Sequence, residues 1–115
     1  EPSISSAWVV PPAAGATTTT AYAVVENPTM YAFYVTKAST DAAGSVELGT
    51  DAGATVEFLT VPAYSTLYMD AEGLRLTLKD LKRPFDAGTK VKLTMVTDGS
   101  VELTVNAEVK TKPAR

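Results

Sequence analysis

The stretch that decides the fold lies near the C-terminus and reads VKLTMVTDGSVELTVNAEV, residues 91–109. Apolar and polar residues alternate through both of its halves, the period-two pattern of a strand with one buried face. Asp98 and Gly99 lie between the halves, and both residue types tolerate the positive φ angles of a primed hairpin turn. The stretch therefore predicts a β-hairpin with strands at 91–96 and 101–109, and it places Met95 in the core.

A second strand is predicted at residues 74–79, which read LRLTLK. Side chains two apart on a strand share a face, so the three leucines point together into the core. Arg75, Thr77 and Lys79 then share the outer face.

The rest of the chain also favours strands, because Thr and Val are abundant and no apolar stripe of helical spacing continues for ten residues. Clusters of Pro, Gly, Asn and Asp separate the remaining segments. Further strands are predicted at 4–10, 19–26, 31–38, 45–48, 55–61 and 66–69. We expect one all-β domain over residues 1–115, an antiparallel β-sandwich with a frayed tail at 110–115.

The composition excludes several classes of function. The chain has no Cys and no His, so thiol nucleophiles, disulfides and imidazole bases are absent. No acid–base constellation remains that indicates an enzyme. The net charge of −3 argues against nucleic-acid binding, and no apolar run approaches the roughly 18–20 residues of a membrane span.

Charge is distributed unevenly along the chain. Through Leu74 there are eight acidic residues and one basic residue, whereas the remainder has nine basic and five acidic residues. These charges either meet across neighbouring strands or form a bipolar surface that orients a partner. The second interpretation makes four residues a candidate face for an anion or an acidic protein surface: Arg75, Lys79, Lys82 and Arg83.

Several short segments, taken in order, resemble the PCuAC family of periplasmic copper chaperones, which deliver Cu(I) toward the CuA centre of cytochrome oxidase. The segments are Ala7-Trp8-Val9 with Pro11, Pro12 and Gly15; Ala21-Tyr22 leading to Glu26-Asn27-Pro28; Ala38-Ser39; Val46-Glu47-Leu48; Val61-Pro62-Ala63; Leu76 through Leu81-Lys82-Arg83-Pro84-Phe85; and Asp98-Gly99-Ser100. The resemblance implies a cupredoxin-like antiparallel Greek-key β-sandwich. It also implies a periplasmic or otherwise extracytoplasmic protein, with Glu1 as either a mature terminus after signal-peptide removal or an arbitrary boundary.

The copper ligands of that family do not carry over to this chain. The family's first His directly follows Val-Glu-Leu, where this chain has Gly49. A Met about ten residues later corresponds to the stretch 54–59, with Phe58 in the ligand position. The family's second His and Met, two apart on a later strand, correspond to Arg75 and Thr77. The resemblance therefore implies a retained scaffold that has lost its Cu(I) donors.

Three functions stay open at this stage. We expect foremost an accessory or binding module in copper homeostasis or metalloenzyme assembly, with no cofactor, no catalytic residues and an unidentified protein partner. Alternatively, copper binds through one of three other sets of groups. These are the N-terminal amine together with Glu1, the pair Met30 and Met69, or carboxylates. The carboxylates considered for a cation site are Asp41, Asp51, Asp70 and Glu72. The third possibility is a purely structural extracellular module.

Overall fold

The computed structural model describes residues 2–50, 54–69 and 73–110, and they form nine β-strands. Their bounds are β1 Ser3–Val9, β2 Thr18–Asn27, β3 Phe33–Ser39, β4 Ala43–Gly49, β5 Leu59–Val61, β6 Ser65–Tyr68, β7 Arg75–Leu81, β8 Lys90–Thr97 and β9 Glu102–Val109. Within these ranges no helix is present, and the all-β prediction is confirmed.

The predicted hairpin is β8–β9, paired from Lys90↔Glu108 to Val96↔Glu102. Its turn differs from the predicted two-residue primed type. Ser100 N–H donates to the Thr97 carbonyl and Thr97 N–H to the Val101 carbonyl, each at 2.9 Å. Ser100, with φ of 62°, holds the left-handed position instead of Gly99. This is a three-residue loop with a bulge, and it leaves Val101 outside the strand and 46% exposed.

The strands follow one another in the order β4-β7-β2-β1-β9-β8-β3-β5, with β6 paired to β2. The sheet curls into a nearly closed barrel or sandwich, because twisted strands bring the two ends of the order together. Pairing is antiparallel except between β1 and β9, where Trp8 lies beside Glu108 and Val9 beside Val109 in parallel. The predicted antiparallel sandwich is thus confirmed with one parallel junction.

The segment 54–61 crosses between the two ends of the sheet, and this corrects the strand predicted over 55–61. Thr55 bridges to Gly49, and Val56 N–H donates to the Leu48 carbonyl of β4 at 2.9 Å. Only Leu59–Val61 remains a strand, and it pairs with β3. Residues 54–61 therefore contact β4 at one end of the strand order and β3 near the other end. Between these two contacts the segment does not continue as a strand.

The core contains the side chains that the alternation places inward. Leu76, Leu78, Leu93 and Met95 are at most 1% exposed, so their inward assignments are confirmed. Leu74, predicted on the same inner face, precedes β7 and is only partly buried against the core. The predicted frayed tail begins at Lys110, yet Lys110 N–H donates to the Val9 carbonyl at 2.9 Å. Residues 111–115 lie outside the described residues.

Candidate functional site

Three polar side chains of β7 form a row on the outer face of the sheet. Arg75, Thr77 and Lys79 are all half-buried, whereas Leu76 and Leu78 between them are 0% exposed. Residues two apart on a strand are separated by about 6.6–6.8 Å, so neighbouring members of the row can contact one small ligand. The outward assignment of all three residues is confirmed.

Strand register brings residues from β4 and β2 to this row. Gly49 lies opposite Arg75 and Glu47 opposite Thr77 on one side, while Thr20 lies opposite Thr77 on the other. A groove of about 230 Å³ opens over the row. Its lining residues are Thr20, Glu47, Gly49, Thr50, Ala54, Thr55, Arg75, Thr77 and Lys79.

The Ala54 backbone lies close to Gly49 at the edge of this groove. Thr50 N–H donates to the Ala54 carbonyl at 2.9 Å. A β-carbon on Gly49 would lie 3.1 Å from the same carbonyl oxygen, which is closer than ordinary van der Waals contact. The Ala54 backbone thus takes up space beside Gly49 that a side chain would need.

The resemblance to the copper chaperones implies four ligand positions, of which three lie together in the groove and the fourth does not. Gly49, Arg75 and Thr77 line it together. Phe58 is absent from its lining and packs edge-to-face against Tyr34 of β3, with ring centroids 5.3 Å apart. Phe58 therefore does not share a site with Gly49, Arg75 and Thr77. The last contacts of this segment with β4 are made by Thr55 and Val56, before Phe58.

The charges in the groove are partly compensated. Lys79 Nζ lies 3.1 Å from Glu47 Oε1, and the two side chains are 43% and 39% exposed. Ion pairs at such exposure contribute about 0–1 kcal/mol to stability, because water screens them and the side chains lose entropy. The pair can therefore open at little cost when another charged group enters.

The predicted basic face divides into two regions. Arg75 and Lys79 line the groove, whereas Lys82 and Arg83 line a cavity of about 420 Å³ beside the β1–β2 loop. Arg75 and Lys82 are seven positions apart, about 23 Å along an extended strand, whereas Lys79 and Lys82 are three positions apart, about 10 Å. The two pairs line different cavities.

The sulfur atoms lie apart from the groove. Met95 is fully buried and Met69 is 4% exposed, while Met30 is 62% exposed in the β2–β3 loop. Met69 N–H donates to the Ala23 carbonyl, and Ser65 at the other end of β6 pairs with Asn27. Met30 follows Asn27 closely in the chain, so the length of β6 separates it from Met69.

Across the part of the chain that the structure describes, no group of three or more His, Cys, Asp or Glu residues could hold a metal ion. Asp41 is exposed at the start of the β3–β4 turn. Glu1, Asp51, Asp70 and Glu72, named above as alternative ligands, lie outside the described residues. Likewise, no helix among the described residues is long and apolar enough to span a membrane.

Sequence reasoning found the β7 row but missed the residues that enclose it. Thr20, Glu47, Thr50 and Thr55 line the groove, and Thr residues are common enough in strands to carry no functional signal. No local pattern in the sequence pairs Thr55 with Gly49, so the residues around that bridge could not be assigned to the groove.

Comparison with known proteins identifies the family. The family model described as "Putative lipoprotein LpqE-like" matches residues 3–109, whereas a search of curated proteins finds no significant sequence match. The copper-bound PCuAC domain from PmoF2 superposes with a TM-score of 0.85 at 22% identity, covering 95% of this chain and 92% of that one. The solution structure of CuI-DR1885 from Deinococcus radiodurans gives a TM-score of 0.78 at 30% identity, covering 96% and 77%. The chain therefore belongs to the LpqE-like family and has the β-sandwich fold of PCuAC copper chaperone domains.

Proposed function

We propose that this protein is an extracytoplasmic binding module of a copper-linked pathway, in copper homeostasis or in the assembly of an oxidase or other metalloenzyme. Its groove does not bind Cu(I) in the manner of the PCuAC family. It acts by contacting a protein partner, through a basic surface that suits acidic groups, and not by catalysis.

The observation that carries this proposal is the meeting of Gly49, Arg75 and Thr77 in one groove. Cu(I) prefers thioether, thiolate and imidazole ligands. A guanidinium has no lone pair to offer a metal, glycine has no side chain, and the neighbouring Lys79 adds a second positive charge. The scaffold brings the three positions together, but none of them supplies a donor that Cu(I) prefers.

The comparisons support the pathway and the compartment. PmoF2 and DR1885 are described with copper bound, which favours a copper-linked role for a chain with the same fold. The lipoprotein description of the family favours a location outside the cytoplasm.

An anaerobic Cu(I) titration against a chromogenic chelator tests the proposal. We expect the wild-type protein to leave the copper with the chelator. The variant Arg75→His/Thr77→Met, which places a His and a Met two apart on β7, should compete measurably better because it restores an imidazole and a thioether beside each other.

A matched control separates the groove from the mere addition of soft donors. Lys92 and Thr94 lie two apart on β8, with Lys92 exposed and Thr94 half-buried on the outer face. Lys92→His/Thr94→Met therefore makes the same exchange elsewhere, and we expect weaker copper binding from it than from the groove variant. Tight stoichiometric binding by the wild-type protein would overturn the proposal and favour ligands such as Met30 or the carboxylates.

A further inference from the structure

We propose that the groove over β7 is a binding site for a small oxyanion, a carboxylate or a phosphate, and that Glu47 occupies part of this site when no ligand is present. The inference rests on the proposed function, because it assigns a ligand class to the groove that would otherwise hold copper.

The lining of the groove supplies the donors that an oxyanion requires. Of the nine described residues that line it, four are threonines and two are Arg75 and Lys79. Guanidinium, ammonium and hydroxyl groups all donate hydrogen bonds, and bonds from charged donors to an anion are the stronger ones. A guanidinium carries five N–H donors in a fork, so Arg75 can serve a ligand in addition to a neighbouring group of the protein.

The register places these donors around one point. Thr77 lies at the centre of the row, with Arg75 and Lys79 on either side along β7 and Thr20 beside it on β2. Neighbouring strands are about 4.8 Å apart, and outward residues of one strand are about 6.7 Å apart. Because Arg and Lys side chains are long and flexible, a ligand of four or five heavy atoms above Thr77 is within reach of all four side chains.

The partial burial of the row strengthens such contacts. Outer-face side chains of a solvated sheet are normally exposed, but Arg75, Thr77 and Lys79 are only half-exposed, and the turn residues Thr50 and Thr55 contribute to the same lining. Partial exclusion of water lowers the local dielectric constant, so a charge–charge contact in the groove is worth more than one on an open surface.

Among the lining residues that the structure describes, Glu47 is the one acidic residue. Its carboxylate already contacts Lys79 Nζ at 3.1 Å, which is the contact that a ligand carboxylate would make. An entering oxyanion must displace Glu47 or accept its repulsion. The structure therefore assigns Glu47 as a competitor for the ligand, and neutralising it should increase affinity.

The proposed experiment records ¹H–¹⁵N NMR spectra during titration with sodium phosphate and with the blocked peptide acetyl-Ala-Glu-Ala-amide, at ionic strength held constant with chloride. We expect saturable shifts confined to the groove residues, with Kd on the order of millimolar. Saturation by phosphate alone identifies a free anion as the ligand, and saturation by the peptide identifies a partner's carboxylate. No saturable shift at the groove with either probe overturns the proposal.

Four variants give different expectations in the same titration. Loss of one charged hydrogen bond in Lys79→Gln or Arg75→Gln should weaken binding about tenfold, whereas Glu47→Gln should tighten it several-fold. Lys82→Gln removes the same charge outside the groove and should change affinity less than about twofold. If Lys82→Gln lost as much affinity as Lys79→Gln, or if Glu47→Gln bound the probe more weakly, the binding would reflect general surface charge. Either result would overturn the proposed site.

The copper titration is independent of this result. If the wild-type protein binds copper tightly, the proposed function fails whatever the NMR spectra show. If it leaves copper with the chelator but gives no groove shifts, the proposed function stands and the oxyanion site fails. Both Lys79→Gln and Arg75→Gln are measured. The Lys79 side chain is 43% exposed, so Lys79→Gln still tests the site if Arg75→Gln does not fold.

Discussion

The two faces of strand β7 differ in how strictly the fold determines them. On the inner face, Leu76 and Leu78 are completely buried among apolar neighbours. On the outer face, Arg75, Thr77 and Lys79 are half-buried in a groove. Any replacement on the inner face must fill the same volume, because protein interiors are close-packed. The outer face tolerates a change of chemistry, so a binding site can be rewritten there without loss of the scaffold.

The largest expected effect comes from the inner face. Leu76→Ala should lower the free energy of unfolding by about 2–5 kcal/mol, because it removes buried apolar contacts and leaves a cavity. Leu103→Ala on β9, where the side chain is 6% exposed, should fall in the same range. Urea unfolding monitored by the single Trp measures both.

Thr77→Ala is the companion to Leu76→Ala on the adjacent position of the same strand. It should cost about 1 kcal/mol or less, since it loses only strand preference and some half-buried contacts. Equal losses at Leu76 and Thr77 would show that the two faces of β7 are equally constrained, which would remove the basis of the comparison.

The difference between the faces also explains what the sequence predicts. The alternation in LRLTLK gives the strand and its inner face correctly, because burying the leucines together is the dominant energy term. The same holds for Leu93 and Met95 in β8. These assignments depend only on the two-residue alternation of apolar and polar side chains, and the tertiary packing preserves that alternation at these positions.

The groove could be predicted only in part, because its walls come from register and from loops. Nothing local places Thr20 opposite Thr77, or Glu47 beside Lys79. Counting residues from Gly49 places Phe58 in the ligand set, but the chain leaves β4 after Val56, and Phe58 packs against Tyr34. Residue counts fail where a segment changes its partner strand.

The C-terminal end of β7 shows a second limit of alternation. Asp80 follows Lys79 and has the parity of the inner face, yet it is exposed and has a φ of 57°. This left-handed conformation turns its side chain away from the core, and Asp adopts it more readily than most residues. The sequence predicts the strand to Lys79, and the structure extends it to Leu81 through this irregular residue.

The next largest effect is expected where β4 approaches that irregularity. A β-carbon on Gly44 would lie 2.9 Å from the Asp80 β-carbon and 3.6 Å from its carbonyl oxygen. Gly44→Ala should therefore cost about 1–3 kcal/mol, the usual range for overpacking. The same urea unfolding experiment applies.

Gly99→Ala is the matched control for Gly44→Ala. Its φ is not in the left-handed region, and a β-carbon there would come no closer than 3.9 Å to the Thr97 hydroxyl oxygen. We expect a change within about 0.5 kcal/mol. If Gly44→Ala were as well tolerated as Gly99→Ala, β4 and β7 would be separating freely at this end, and the groove between them would lack a fixed wall.

The smallest expected effect lies on the outer face itself. Lys79→Gln should change the free energy of unfolding by no more than about 0.5 kcal/mol, because its pair with Glu47 is roughly two-fifths exposed on both sides. A double-mutant cycle with Glu47→Gln should give a coupling of about 0.2–1 kcal/mol at low salt, decreasing in 1 M NaCl as the charges are screened. A coupling well above that range would make the pair part of the scaffold. Its opening would then oppose ligand binding, and the outer face would be as constrained as the leucines beneath it.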